Sequence, residues 1–330
     1  MDETGSSVGS RQSGQGLLQA ALALPDLATE LPVVLKARLF PDSGFEPRED
    51  DLGLVSAWID ALREQVENGL ADAGAGPEIS GKVSRRPFSD RAILTQLMAR
   101  AVEMRLARNA PAIGMPDPEL PEAVQQRLGS EDPDTVEIAM ALLIAQCRFL
   151  ANGRAFHLDL GELSAERTSG LVWRSVSQLQ DDGIGEPVAL RAAAEKFLAG
   201  FDEREGRPHA LERFCHWLAL PEARQNWSVA HNGPALLLAM LARVSGLGFD
   251  ACCLLCIEPG LARLAIVARA AGLSGHECLA FLADMAELAR LGVHDLPDLA
   301  AIEAVGQDEA QQMVARWRNH AASLDDWMDG

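Results

Sequence analysis

Residues 242–252 read Ala-Arg-Val-Ser-Gly-Leu-Gly-Phe-Asp-Ala-Cys, and 26 residues later residues 268–278 read Ala-Arg-Ala-Ala-Gly-Leu-Ser-Gly-His-Glu-Cys. In both stretches an Ala/Leu-rich apolar run ends at Ala-Arg-x-x-Gly-Leu, and a second apolar run begins a few residues on. Glycine just past a helical pattern is a common helix stop, because it takes the left-handed backbone conformation without a Cβ penalty. Each copy therefore encodes helix, turn, helix. Self-similarity at this period, with two helices per unit, is the pattern of a helical solenoid, in which each pair buries its face on the next. A third, degenerate copy follows at Ala289-Arg290-Leu291-Gly292-Val293.

The upstream chain reads as helix as well. From Pro47 to Ala73, the residues Leu52, Val55, Ile59, Leu62, Val66 and Leu70 fall three or four apart and form one apolar stripe, with Gly74 as the stop. A short helix is expected over 16–24 and a longer one over 89–109, the latter ended by Pro111. Another starts at Asp132 as N-cap with Pro133 at the first helical position, and runs to Asn152 with Gly153 as its stop. Its stretch Ile138–Ile144 is apolar on nearly all sides, which places it centrally in a core. Helical patterns also cover 162–180, 187–201, 208–218 and 234–244, and no convincing run alternates with period two. The expected fold is all-α with no sheet: stacked helical hairpins in the C-terminal part, a helical bundle or degenerate repeats in the N-terminal part. The expected divisions are a disordered tail (1–16), a helical N-terminal region (17–205), a repeat region (206–322) and an acidic, aromatic C-terminal tail (323–330).

Composition restricts the partners. The 330 residues carry 29 Lys+Arg against 48 Asp+Glu, a net charge of 29 − 48 = −19. Phosphate-rich surfaces demand a basic footprint, so neither nucleic acid nor an anionic membrane is expected as a partner. Tyr is absent and aromatics are only 5%, which removes most base-stacking surface. The uninterrupted apolar runs, 235–242 and 251–257, fall far short of the ~18–20 residues of a bilayer span. The first residues, Met1-Asp2-Glu3-Thr4 and a Gly/Ser/Gln stretch to Gly16, hold neither the basic nor the apolar part of a secretory signal. A reduced, cytoplasmic setting for the six cysteines is expected.

The stretch Leu236–Leu247, then Glu258-Pro259-Gly260-Leu261 and Ala268-Arg269-Ala270-Ala271-Gly272-Leu273, resembles a bacterial domain-of-unknown-function family built from HEAT-like helical repeats. The resemblance is clearest over 234–285. It implies an α-helical repeat architecture and a scaffold or regulatory role, and it brings no catalytic residue with it.

Several constellations invite a chemical reading. Cys252, Cys253 and Cys256, followed by His276 and Cys278, have the ligand types and spacing of a zinc site. The trio stands in the apolar run Ala-Cys-Cys-Leu-Leu-Cys-Ile, however, and Cys252 and Cys278 hold equivalent repeat positions, so core packing is the expected role and no metal is assigned. Residues Gly76–Ser84 nearly spell a phosphate-binding loop, but the hydroxyl arrives one residue late and the loop follows a helix where the motif needs a strand. His231, before Gly233-Pro234, has the setting of a loop residue ahead of a helix, with histidine phosphotransfer as the alternative. His209 and His216, seven apart around Cys215, share one helical face and are read as an ordinary half-buried face. Trp317, Trp327 and Met328 stand among charges near the end, either docking a partner or closing the last repeat. The sequence thus reads as a non-enzymatic scaffold or regulatory module with no cofactor, binding a protein partner of basic or apolar surface. Signalling by phosphotransfer at His231 is the second reading.

Overall fold

The structure, a computed structural model, describes residues 16–17, 48–218, 226–292 and 296–328, with side chains given up to residue 319 and none for Pro259. Among these residues all regular structure is helical. The α-helices are α1 (Glu49–Leu70), α2 (Arg91–Asn109), α3 (Glu122–Leu128), α4 (Pro133–Arg154), α5 (Ala165–Asp181), α6 (Pro187–Ala199) and α7 (Arg207–Leu218). They continue as α8 (Val229–Ser245), α9 (Phe249–Leu255), α10 (Ala262–Ala270), α11 (Gly275–Ala289), α12 (Leu299–Glu303) and α13 (Gln307–Met328).

Local chemistry explains most of the boundaries. The stripe of α1 is buried at Leu54, Val55, Trp58, Leu62, Val66 and Leu70. The Asp90 carboxylate accepts from the amides of Ala92 and Ile93 and caps α2, which starts at Arg91, two residues later than the Ser89 expected from the sequence. Asp132 caps α4 as expected, through the amide of Thr135. Gly153 does not stop that helix. It lies buried inside it, where a Cβ would fall 2.0 Å from the Met104 Cε atom, so the glycine marks a close approach of α4 to α2. Of the expected 16–24 helix only Gly16 and Leu17 are described; both are helical and Leu17 is fully buried.

The repeated Gly-Leu element behaves alike in its two copies. Gly246 after α8 and Gly272 after α10 both have positive φ, 71° and 92°. In each case the next helix begins at once and buries a cysteine in its first turns, Cys252 in α9 and Cys278 in α11. At the third copy the left-handed position falls on Arg290 itself, with φ 53° and ψ 45°.

The helix nearest the centre is α2. Twelve of its residues are buried, on every side of the helix. It packs against α1 and also against α8, α9 and α11 from the far end of the chain. A single apolar cluster accordingly extends from Leu17 to Val314, and a smaller one joins α3, α4, α7 and α8. The boundary expected at 322/323 falls within α13, whose backbone continues to Met328; Trp317 packs half-buried on the core, while the Trp327 and Met328 side chains lie outside the described residues.

Among the described residues α4 is long and apolar enough to cross a membrane by length and composition, and α8 with α9 passes the same test as a pair bent by 114°. Counting uninterrupted apolar runs overlooks α4 because charged residues stand near its ends. Its inner face packs on α7, and its outer face leaves Met140 and Ile144 about half exposed.

Burial of five cysteines gives a direct check on this packing. Cys147 is exposed on α4, whereas Cys215, Cys252, Cys253, Cys256 and Cys278 are buried. One thiol per chain should react with a water-soluble disulfide reagent in the native protein, and Cys147→Ser should abolish that reaction. The other five should react only on denaturation. Fast labelling of two or more native thiols would contradict the packing of α7, α9 or α11.

Candidate functional site

The most unusual feature of α2 is that charges occupy its buried face. Arg100 and Glu103 stand in the apolar run Leu97-Met-Ala-Arg-Ala-Val-Glu-Met104, and both are buried. An isolated buried charge is strongly disfavoured, so each must find partners within the fold. Arg100 Nη1 donates to Glu103 Oε2 at 2.7 Å, and its Nη2 donates to Asp250 in the first turn of α9. Arg207, at the start of α7, forms a fork on Glu162, with Nε to Oε1 at 3.0 Å and Nη2 to Oε2 at 2.8 Å. The same guanidinium reaches Glu103 from Nη2 at 2.9 Å and from Nη1, and Nη1 also donates to Gln146 Oε1 of α4 at 3.1 Å. Arg167 of α5 closes the chain of contacts on Asp250 Oδ2 at 2.9 Å. Arg100, Arg167 and Arg207 thus balance Glu103, Glu162 and Asp250. The faces of two arginines lie on rings, Arg207 over Phe149 at 3.7 Å and Arg100 over Phe249 at 4.5 Å, which replaces part of their lost hydration.

Backbone geometry lets these groups meet. A Cβ on Gly206 would fall 2.2 Å from the Gly161 carbonyl oxygen, so two glycines allow the turn carrying Glu162 and the start of α7 to touch. The next residue on each side is a partner in the fork. Gln96 adds a tie, donating from Nε2 to the Glu162 carbonyl at 2.9 Å.

Burial alone would raise the Glu103 carboxyl, but the Arg207 and Arg100 guanidiniums beside it hold it below the ordinary carboxylate value. Burial would lower Arg207, and Glu103 and Glu162 more than reverse this. Both groups stay charged across the neutral range.

A cavity of about 480 Å³ opens over the network. Gln96, Arg100 and Arg207 form its polar floor, and Leu163, Leu211 and Phe249 supply apolar wall. The exposed carboxylates Glu166, Glu203 and Glu212 line its outer part, and none has a cationic partner within 4 Å among the described residues. Gln96 Oε1 is buried and meets no donor among the described residues. Cys215 also lines the cavity, but burial pushes its thiol up to about 12, so it is protonated and unsuited to nucleophilic attack near neutral pH.

The residues singled out in the sequence lie elsewhere. Cys252, Cys253, Cys256 and Cys278 are buried, with burial raising Cys252 and Cys278 to about 12, whereas His276 is 80% exposed and faces Glu303 at 3.8 Å. No group of three His, Cys, Asp or Glu among the described residues is placed to hold a metal ion. His231 is not in a loop: it sits in the first turn of α8, its amide donating to Ser228, before the helix breaks at Gly233 with φ 74° and ψ 157°. Its Nδ1 lies 3.1 Å from Glu122 Oε2. In the 76–84 loop, the amides of Gly81 and Val83 donate to the Glu67 carboxylate of α1. A carboxylate of the chain thus takes up loop amides that a bound phosphate would need. His209 and His216 lie on α7, half-buried and exposed respectively.

No protein-family model matches the chain, and neither does any curated protein or solved structure.

Two outcomes follow from the network. Because the folded pKa of Glu103 is depressed, its contribution is complete above its ordinary value of 4.5 and is lost as pH falls through the lower folded value. Glu103→Gln should destabilise by about 3–5 kcal/mol at neutral pH, the magnitude for breaking a buried pair. In urea titrations the gap to wild type should narrow below that pH, and a gap independent of pH would show that Glu103 is not held as an anion. Gly206→Ala should destabilise by about 1–3 kcal/mol through overpacking, read as a lower urea midpoint.

Proposed function

We propose that this chain is a non-enzymatic helical binding module, a scaffold or regulatory protein, that receives a basic segment of a protein partner at the cavity over Arg100 and Arg207. The observation that carries the reading is the charge arrangement. The floor is already balanced, and Glu166, Glu203 and Glu212 outnumber the one further lining cation, Arg243, so the outer cavity stays acidic. A lysine or arginine side chain supplies the missing positive charge, its methylene stem suits the wall of Leu163, Leu211 and Phe249, and its donors match Gln96 Oε1. The net charge of −19 attracts basic partners over longer range.

The HEAT-like reading belongs to this proposal. The matched Gly246 and Gly272 turns and the matched burial of Cys252 and Cys278 support taking α8–α9 and α10–α11 as related hairpins. A cytoplasmic setting is part of the same reading. Phosphotransfer at His231 has no specific observation in its favour, since the ring is only 19% exposed and Nδ1 faces Glu122.

The test compares binding of a hexalysine peptide to wild type and to the triple variant Glu166→Gln/Glu203→Gln/Glu212→Gln. A control removes three exposed carboxylates elsewhere (Glu64→Gln/Asp72→Asn/Glu195→Gln). The cavity variant should lose about tenfold in affinity, or about 1.4 kcal/mol, and the control much less. Wild-type binding should weaken with salt. Equal losses in the two variants would reduce the effect to net charge and remove the cavity from the proposal. A native partner captured from cytosol should survive His231→Ala and be lost with the cavity variant.

A further inference from the structure

The other end of α2 carries a second charged cavity with the opposite balance. A space of about 240 Å³ is lined by Arg48, Arg105, Arg108 and Arg290, with Asn109 and the two acids Asp50 and Asp51. Four positive charges face two negative ones in a protein that is strongly acidic overall. Asp51 is already engaged, accepting from Arg105 Nη1 at 2.8 Å. Arg48 Nη2 donates to the Arg290 carbonyl at 2.7 Å. Neither the Arg108 nor the Arg290 side chain meets a carboxylate within 4 Å among the described residues.

The demand for an acceptor is most acute at Arg105. Its side chain is 12% exposed, yet its Nε and Nη2 are buried without a hydrogen-bond partner among the described residues. Buried guanidinium donors without acceptors are costly, and native proteins rarely leave them so unless something external completes them. Burial lowers the Arg105 guanidinium from its ordinary value; Asp51 raises it and Arg48 and Arg290 lower it further. The backbone adds a second, independent sign. Arg290 occupies the left-handed region at φ 53°, where the preceding helix end favours glycine, as at Gly246 and Gly272. A non-glycine residue in that position indicates that its side chain is retained at the expense of local backbone ease.

We infer that this arginine-lined cavity binds an oxyanion, a phosphate or carboxylate group carried by a small ligand, through the free donors of Arg105, Arg108 and Arg290. Guanidinium forks match planar carboxylates and phosphate oxygens in pairs, which three arginines around 240 Å³ can exploit for one anionic group. The inference is independent of the acidic cavity, which uses a different face of α2 and the opposite ligand charge.

The experiment titrates the full chain with inorganic phosphate, pyrophosphate and citrate at constant ionic strength, by calorimetry and by thermal melting. Variants are Arg290→Gly and Arg108→Gln, with Arg191→Gln as an exposed control of equal charge change. Arg290→Gly keeps the left-handed turn and relieves it, so the free variant should melt no lower than wild type while its affinity falls about tenfold. Arg108→Gln, at an exposed position, should also lose about tenfold, and the control less than twofold. Tighter phosphates or tighter citrate would each support the site and identify the anion's chemistry. The inference is overturned if no anion binds saturably below about 10 mM, or if the two site variants bind as tightly as the control.

Discussion

The fork between Arg207 and Glu162, with Glu103 and Arg100 behind it, is the constraint on which the arrangement of this molecule depends. All four side chains are buried, and four buried charges tolerate no partial solution. If α7 shifted by a side-chain length, Arg207 would lose Glu162, Glu103 and Gln146 together. If α9 shifted, Arg100 and Arg167 would lose Asp250. The network therefore acts less as added stability than as a register, allowing one relative placement of six chain segments where apolar packing alone would permit neighbouring ones. Close approach of Gly161 to Gly206 is the backbone counterpart of the same constraint.

One helix serves two electrostatic environments. Through Arg100 and Glu103, α2 supplies the centre of a balanced network whose solvent side is acidic. A turn further on, Arg105 and Arg108 with Arg48 and Arg290 form a basic cavity. In a chain with a net charge of −19, that basic cavity stands against the average and the acidic one accords with it. Because α2 is buried between α1 and the C-terminal helices, both environments are composed of residues far apart in the chain, joined only by packing on this helix.

Much of the helical content was legible because it is encoded locally. The α1 stripe, the Asp132-Pro133 start of α4 and the paired Gly246 and Gly272 stops are statements about residues three to five positions apart. The network was not legible in that way. Arg100 and Glu103 could have been noticed as charges in an apolar run, and that was the available signal. Nothing near them indicates Arg207, Glu162 or Asp250. Conversely, the motifs that drew notice in the sequence are spread apart by the fold: His276 is on the surface while the cysteines are in the core, and the amides of the phosphate-loop look-alike are taken by Glu67. His231 was expected in a loop because Pro234 disfavours a helix interior, whereas one helical turn fits ahead of the break at Gly233.

By itself, then, the sequence determined that the regular structure of the described residues is helical, where many helices begin and end, and that Gly246 and Gly272 turn left-handed, since caps, periodicity and φ preferences act within a few residues. Only the tertiary structure decided which charges are buried together, that Gly153 and Gly206 are points of close approach, and where the two cavities lie. Those are properties of contacts between residues as much as 242 positions apart, such as Arg48 with Arg290. The physical reason is range: a cap or a stripe is selected by its own neighbours along the chain, but a buried charge is selected by a partner that only folding brings within 3 Å.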